Sequence, residues 1–574
     1  MKLTEEQQKI ISYFQEYPDS RENIRIMAYA GAGKTFILLR IAETLSNKSI
    51  LNLSFNKAIK DHANTCFPRN TKNSTFHGMA LYAAKRSVGD IQIAGNNNTV
   101  IRSIMDICSV KYNLARMINW VLCDFCETDD EVIQRKHAYS EKIKERLRPA
   151  LLYSYLAEEI YQCARKVWHR LHSNPLDYPI PHNVYLKWFA LSDNVALGSY
   201  DLIIVDEAQD SNPCMLHILK KLNNRVVVVG DPFQQIYEFN GAVNALERTK
   251  YLPFYLTKSF RWGEAVADLS NNILKLSETY NPEYPVQGLE TKNTVVETYP
   301  GLYGMPSEMD AIICRMNRDC FYAAKYCLQE AEISIPYTLV GKETMIREYK
   351  LLMDFWRGEG KIEGFATWEE LELYIKETDS AVLPYAWMVE LISKNNSWLG
   401  EVLENSEEDG SGIQIMTTHA AKGKEWPRVC VYGSFLPTYL PGREEELRIF
   451  YVACTRALEH LTVIIPNNLP YEALIKYGNH LKKWRQGPMN VKIVCAALRI
   501  ERANGVTQVV PGLHHAEITE QLSALGITYK EYEIGFVTST GEFVDQEKAA
   551  EIAFKSGQIQ SRYKNEALQS TSLY

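Results

Sequence analysis

Three short, mostly apolar runs, each ending in a polar cluster, predict an α/β protein built on parallel sheets. Ile24–Met27 leads into Ala28-Tyr-Ala-Gly-Ala-Gly-Lys-Thr35, Leu202–Val205 into Asp206-Glu-Ala-Gln-Asp210, and Val226–Val229 into Gly230-Asp-Pro-Phe-Gln-Gln-Ile-Tyr237. Short runs without polar alternation suit strands covered on both faces. The carboxyl ends of such strands are where ligands bind in open α/β sheets.

The first cluster is followed by Phe36–Leu45, whose apolar residues recur with helical period, so it has the strand–loop–helix setting of a phosphate-binding loop. Gly31 and Gly33, with Ala32 between them, would let backbone N–H groups curl around a β-phosphate, and the helix N-terminus adds partial positive charge. Lys34 would reach the β/γ-phosphates, and the Thr35 hydroxyl would bind Mg²⁺. Ala28 stands where the common pattern has its first glycine. ATP or a similar nucleotide is the implied ligand.

In the second cluster, Asp206 would hold Mg²⁺ through water, and Glu207 would orient and deprotonate an attacking water. A strand-end Asp-Glu alone is more often a solvated acid pair; beside a phosphate loop it suits an ATPase. The third cluster offers Gln234 as a γ-phosphate sensor.

At 574 residues the chain should hold several domains. Its 46% hydrophobic and 23% charged content is that of an ordinary globular protein. MKLTEEQQKII lacks the pattern of a signal peptide, and no apolar run approaches a membrane span, so a cytoplasmic or nuclear setting is expected. The net charge of −7 makes no whole-molecule case for nucleic acid, which must meet a local surface. The 12 cysteines are scattered, and Cys123, Cys126, Cys163, His169 and His172 lack regular metal spacing, so thiols are expected.

The order of these motifs resembles the UvrD/Rep-type helicases of superfamily 1, and most of all their F-box DNA helicase subgroup. Gln7 falls where that family reads adenine. Leu53-Ser-Phe-Asn-Lys-Ala58 and Thr75-Phe-His-Gly78 resemble its first DNA-contacting motifs. Leu256-Thr-Lys-Ser-Phe-Arg261 resembles the motif in which an aromatic residue (Phe260) stacks on adenine and an arginine (Arg261) touches the γ-phosphate. Ala311-Ile-Ile-Cys-Arg-Met-Asn317 and Ile335-Pro-Tyr337 resemble the opening of the second domain. Thr417-Thr-His-Ala-Ala-Lys-Gly-Lys-Glu-Trp426 puts Glu425 at the ribose-contacting position, and Glu444–Ala457 supplies Arg456, the arginine that reaches across the domain interface.

That resemblance implies two RecA-like parallel-sheet domains. The first spans 1–78 and 199–275 with a helical insertion at 79–198; the second spans 276–341 and 411–488 with a reduced insertion at 342–410. Within the first insertion, Ser140–Arg148 and Leu151–Trp168 have helical character. It further implies an ATP-dependent helicase or translocase moving 3′→5′ on single-stranded DNA and at duplex junctions. A motor must grip a strand without reading it, through phosphate donors and aromatic faces. Phe55, Phe76, Tyr237 and Phe239 lie in the blocks the family places under DNA, with Asn56, Lys57, Thr75, His77, His419 and Lys422 as backbone donors beside them. Asn240 replaces a family arginine. An RNA motor and a DNA-sensing ATPase switch that unwinds nothing are the rival readings.

From 489 the motor pattern stops. Val491–Ile500 and Tyr529–Val537 read as strands, the latter turning at Ser539-Thr-Gly541. Asp545 reads as the N-cap of a helix over Gln546–Lys555, with Gly557 as its stop. His514 and His515 read as a helix start. This accessory α+β unit, 489–574, resembles small phage proteins of unknown role and is a candidate surface for a protein partner.

Overall fold

The computed structural model describes residues 3–140, 150–192, 200–238, 241–299, 308–331, 334–362, 365–377, 386–394, 398–408, 410–433, 435, 444–464, 493–502, 507–512, 529–538 and 543–555. The chain divides into two compact units, Met1–Leu481 and Lys482–Tyr574.

The first unit holds two six-stranded sheets. One comprises β1 (Ile24–Ala28), β2 (Ile50–Ser54), β3 (Thr71–Thr75), β4 (Leu202–Val205), β5 (Arg225–Gly230) and β6 (Leu252–Leu256). Its spatial order is β3-β2-β4-β5-β1-β6, parallel throughout. The adjacency β4-β5-β1 brings the three polar clusters side by side at the carboxyl edge. Strands two places apart are separated by about 10 Å, so one nucleotide can touch both. Both faces of β4 and β5 are buried, as their apolar runs require. Arg25, the polar exception in β1, donates from one guanidinium nitrogen to the carbonyls of Leu246 (2.9 Å) and Thr249 (3.2 Å).

The other sheet comprises β7 (Val295–Tyr299), β8 (Ala311–Cys314), β9 (Tyr337–Leu339), β10 (Ile413–Thr417), β11 (Trp426–Tyr432) and β12 (Ala457–Ile464). Its order is β7-β12-β11-β8-β10-β9, again all parallel. These are two RecA-like domains, the fold class the motifs predict.

Helices fill the two gaps in the strand sequence. Between β3 and β4 run Phe76–Val88, Asn97–Cys108, Tyr112–Glu127, Ala150–Ser173 and His182–Leu191, closed over a core that includes Ile104, Ile118 and Phe125. The expected helix over Ser140–Arg148 falls almost entirely outside the described residues. Between β9 and β10 lie Lys342–Trp356, Trp368–Glu377, Ala386–Ser393 and Trp398–Glu404, packed with one face of the second sheet. A third core joins the sheets: Tyr29, Phe233 and Ile236 from the first share it with Leu447, Phe450 and Tyr451 from the helix Glu444–Cys454.

The second unit is an antiparallel sheet of β13 (Ile493–Arg502), β14 (Thr507–Gly512), β15 (Tyr529–Thr538) and β16 (Phe543–Asp545), ordered β14-β13-β15-β16. Gln546–Lys555 forms the helix, and Asp545 caps it by accepting the Lys548 N–H at 2.8 Å. The outer strands β14 and β16 carry no long apolar run, so sequence periodicity missed them. Ser539–Gly541, His514, His515 and Gly557 lie outside the described residues. Among the described residues, the cysteines of the first unit are free thiols, and no group of three or more His, Cys, Asp or Glu is arranged to hold a metal. No helix among them is long and apolar enough to cross a membrane.

Candidate nucleotide site and nucleic-acid interface

The loop after β1 needs glycine at two places. Gly31 and Gly33 have φ of +73° and +83°, and a side chain on Gly31 would put its Cβ 2.7 Å from that of Arg261. Gly33 caps the helix Lys34–Thr44, so the loop leads directly into a helix N-terminus. Ala32 is buried beneath them, while Thr35 is exposed at the helix start. The segment after β6 is stitched to this loop, with the Phe260 N–H donating to the Gly31 carbonyl at 2.8 Å. Buried Gln7 and half-open Phe260 both border Gly33, whose added Cβ would lie 3.4 Å from Gln7 Nε2 and 3.8 Å from the Phe260 ring. The two residues expected around adenine, Gln7 and Phe260, therefore meet beside Gly33.

At the end of β4, Asp206 is buried and accepts the Glu207 N–H at 2.9 Å. Burial, then the neighbouring Glu207 charge, pushes the Asp206 carboxyl above its ordinary range. A divalent cation would remove that penalty. Carboxylate and hydroxyl oxygens are ligands Mg²⁺ accepts while keeping most of its water, so Asp206 with Thr35 fits that ion. Glu207 itself has φ +52°, a left-handed conformation uncommon for a non-glycine residue and frequent at functional sites. Burial would raise its carboxyl. Lys34 (Nζ at 3.8 Å), Lys422, the Gln209 amide (2.6 Å) and Arg456 outweigh that and hold it below its ordinary value. At the end of β5, Gln234 donates to Asp231 Oδ2 at 2.8 Å.

Two guanidinium groups, Arg261 after β6 and Arg456 after the helix Glu444–Cys454, meet at Thr455. Arg261 donates to the Thr455 carbonyl (2.9 Å) and pairs with Glu425 (2.6 Å), the residue expected at the ribose. Arg456, 1% exposed, donates to the Val452 carbonyl (2.9 Å) and Thr455 Oγ1 (3.0 Å). Among the described residues no carboxylate lies within ion-pair distance of it. Burial, then the like charge of Arg261, lowers its proton affinity below the ordinary arginine value. Burying a charge without a counter-charge costs several kcal/mol.

On the adjoining surface, Phe55 and Tyr237 stack with ring centroids 5.7 Å apart and 14° between planes, and His419 lies 6.0 Å from Tyr237. Two of the expected donors are also helix caps: Asn56 Oδ1 accepts the Ile59 N–H, and Thr75 Oγ1 the Gly78 N–H, both at 2.9 Å. Lys57 is exposed. His77 packs near His182 and Tyr185, and burial, then His182, lowers its proton affinity. His419 meets the Ile236 carbonyl at 2.9 Å. Lys422 is engaged inward: it donates to both oxygens of buried Asp210 (2.8 and 2.6 Å) and to the Gln234 carbonyl (2.8 Å), while lying 4.6 Å from the Tyr237 ring centre. One aromatic is a correction. Phe76 is only 5% exposed, within the core of the helices that follow β3, so it has no free face to offer a base. Phe239 and Asn240 lie outside the described residues.

With this geometry in view, comparison with known proteins is specific. The UvrD/REP helicase N-terminal domain matches residues 3–250, and the UvrD-like helicase C-terminal domain matches residues 209–468. Across residues 3–468 the chain belongs to the UvrD/REP helicase family. F-box DNA helicase 1 of Gallus gallus is 28% identical over 527 residues, covering 81% of this chain and 50% of the relative. F-box DNA helicase protein 1 of Schizosaccharomyces pombe is 28% identical over 525 residues, covering 80% and 57%. The chain thus spans about half the length of these curated relatives. Among solved structures, the arterivirus nonstructural protein 10 (helicase) aligns over 81% of this chain and 64% of its own, at 14% identity and a TM-score of 0.32. Residues 492–574 match the phage T4 y16D protein family.

Several residues of this UvrD/REP-type site escaped the sequence reading. Asp231, Asp210 and Gln209 sit in the clusters, where local pattern points to their neighbours instead. Arg448, which donates to Gln235 across the sheets at 2.8 Å, and Tyr451 lie in the run Leu447–Ala453, which reads as core. The available signal was polar atoms inside a stretch otherwise suited to burial.

Proposed function

We propose that this chain is an ATP-dependent DNA helicase that moves along single-stranded DNA, with 3′→5′ polarity implied by its family. The observation that carries the reading is the meeting of Arg261 and Arg456, one from each RecA-like domain, beside the phosphate loop. In γ-phosphoryl transfer, charge spreads over the equatorial oxygens, and a cation delivered from a second domain stabilises it only when the cleft is closed. Hydrolysis then requires domain closure, which couples chemistry to stepping. Lys34 neutralises the β/γ-oxygens. Glu207, held ionised, orients the attacking water and accepts its proton, while Gln234 senses the γ-phosphate. Mg²⁺, held by Thr35 and Asp206, would neutralise β- and γ-oxygen charge. ATPase assays with single-stranded DNA and RNA, beside unwinding of tailed duplexes, test the reading. Hydrolysis without unwinding would favour a switch, and equal stimulation by RNA would remove the DNA preference.

The strand contact is proposed to centre on Phe55 and Tyr237, with Lys57 among its phosphate donors. Base stacking on an aromatic ring is worth ~1–3 kcal/mol. Tyr237→Ala should therefore weaken single-strand binding by about ten- to a hundredfold, measured by fluorescence anisotropy. Affinity should also fall with rising salt as counterions are released. Unaltered binding in this variant, or a salt-independent affinity, would remove the track.

Residues 489–574 are proposed to recruit a protein partner or tune substrate choice, because the motor motifs end at Arg456. A chain ending at Pro488 should remain soluble and keep DNA-stimulated ATPase activity. An insoluble or inactive product would make the unit part of the motor's structure instead.

A further inference from the structure

We infer that the Tyr451 hydroxyl is a positioning group, which holds Gln234 in register only while the two RecA-like domains are closed. The inference rests on the ATPase reading above. Tyr451 belongs to the helix Glu444–Cys454 of the second domain, yet its hydroxyl ends among residues of the first. It donates to Asp231 Oδ2 at 3.2 Å and accepts the Ala30 N–H at 3.4 Å. Its side chain is fully buried, 6.3 Å from the Phe233 ring centre.

Asp231 is fully buried too, and three donors surround it. Oδ1 accepts the Phe233 N–H at 3.0 Å; Oδ2 accepts the Gln234 amide at 2.8 Å as well as the phenol. A buried carboxylate is tolerated only when such donors replace water. Of the three, the phenol alone comes from the other domain. Ala30 is in the phosphate loop, and Arg456 follows directly after the helix that carries Tyr451. One oxygen atom therefore ties the phosphate loop, the anchor of Gln234 and the segment bearing the cross-domain arginine.

Opening the cleft withdraws the phenol from both partners at once. Asp231 loses a donor, and Gln234 loses the rigidity of its anchor. Closure restores that anchor in the same movement that seats Arg456, so γ-phosphate sensing and charge stabilisation are delivered together. No proton changes owner and no bond beyond these hydrogen bonds is made. The phenol acts through Asp231, and its loss should alter turnover rather than nucleotide affinity.

The test is DNA-stimulated ATP hydrolysis by the full chain, comparing wild type, Tyr451→Phe, Asp231→Asn and the double variant at saturating single strand. Each single change should lower kcat about tenfold, the scale of one lost hydrogen bond, with KM for ATP within about twofold. The double variant should be no slower than the slower single one, because both act on one linkage. A kcat for Tyr451→Phe near the wild-type value, or losses that multiply in the double variant, would overturn the inference. If Tyr451→Phe is too unstable to assay, Asp231→Asn decides alone, and an unchanged kcat there overturns it. Wild-type protein that hydrolyses no ATP under any condition overturns the ATPase reading and this inference with it. Wild-type turnover with an unaffected Tyr451→Phe overturns the inference alone.

Discussion

Lys34→Ala is expected to abolish nucleotide hydrolysis, and Glu207→Gln to retain nucleotide binding while lowering kcat by ~10²-fold or more, the scale of a lost general base. The two losses differ in kind. Lys34 opens the helix Lys34–Thr44, and its ammonium lies 3.8 Å from Glu207. Removing it deletes the positive clamp from the bound nucleotide and from the transition state alike. Glu207 is different because Lys34, Lys422, the Gln209 amide and Arg456 together keep its carboxyl ionised against burial. The isosteric glutamine keeps the shape and the left-handed backbone but has no lone-pair charge to take a proton. Steady-state kinetics beside equilibrium nucleotide binding separate the cases. Wild-type hydrolysis by Glu207→Gln would mean that another group is the base.

Arg456→Ala and Arg261→Ala are each expected to lower kcat by ~10²-fold or more while changing nucleotide affinity far less, on the scale of lost transition-state donors. Arg456 should also show a trade between stability and activity. Its buried guanidinium sits near a like charge without a carboxylate partner, so an apolar residue that fills the same space removes a destabilising group. Arg456→Met should therefore leave the ligand-free protein at least as stable to heat as wild type, despite the loss of turnover. Differential scanning calorimetry without nucleotide checks this. A marked fall in Tm would mean that the arginine is a structural brace held by the carbonyls of Val452 and Lys424. A nucleotide-bound structure with either guanidinium turned away from the phosphate loop would remove the coupling role.

The chain's local grammar determined much of this. Apolar runs of four or five residues ending in Gly31–Thr35, Asp206–Glu207 and Gly230–Gln234 specify strand, turn and helix start over distances a few residues long. Backbone preference and burial act at that range, so the parallel-sheet class and the strand ends that carry the polar clusters could be read directly. The helix Gln546–Lys555 and its Asp545 cap were readable for the same reason. Local pattern could not say which polar side chains meet across the cleft. Lys422 reads as a phosphate donor, but the fold sets it against Asp210, 212 residues away in the chain, within hydrogen-bond distance. Phe76 reads as a base platform, but the fold leaves it only 5% exposed within a core. Tyr451 reads as core filling, and only its 3.2 Å contact with Asp231 reveals a polar role. Sequence determined the elements because their energies are set by neighbours along the chain. The partners of buried polar atoms were decided by the packing of the two sheets, since a hydroxyl or carboxylate cut off from water must find whatever donor or acceptor the tertiary fold supplies.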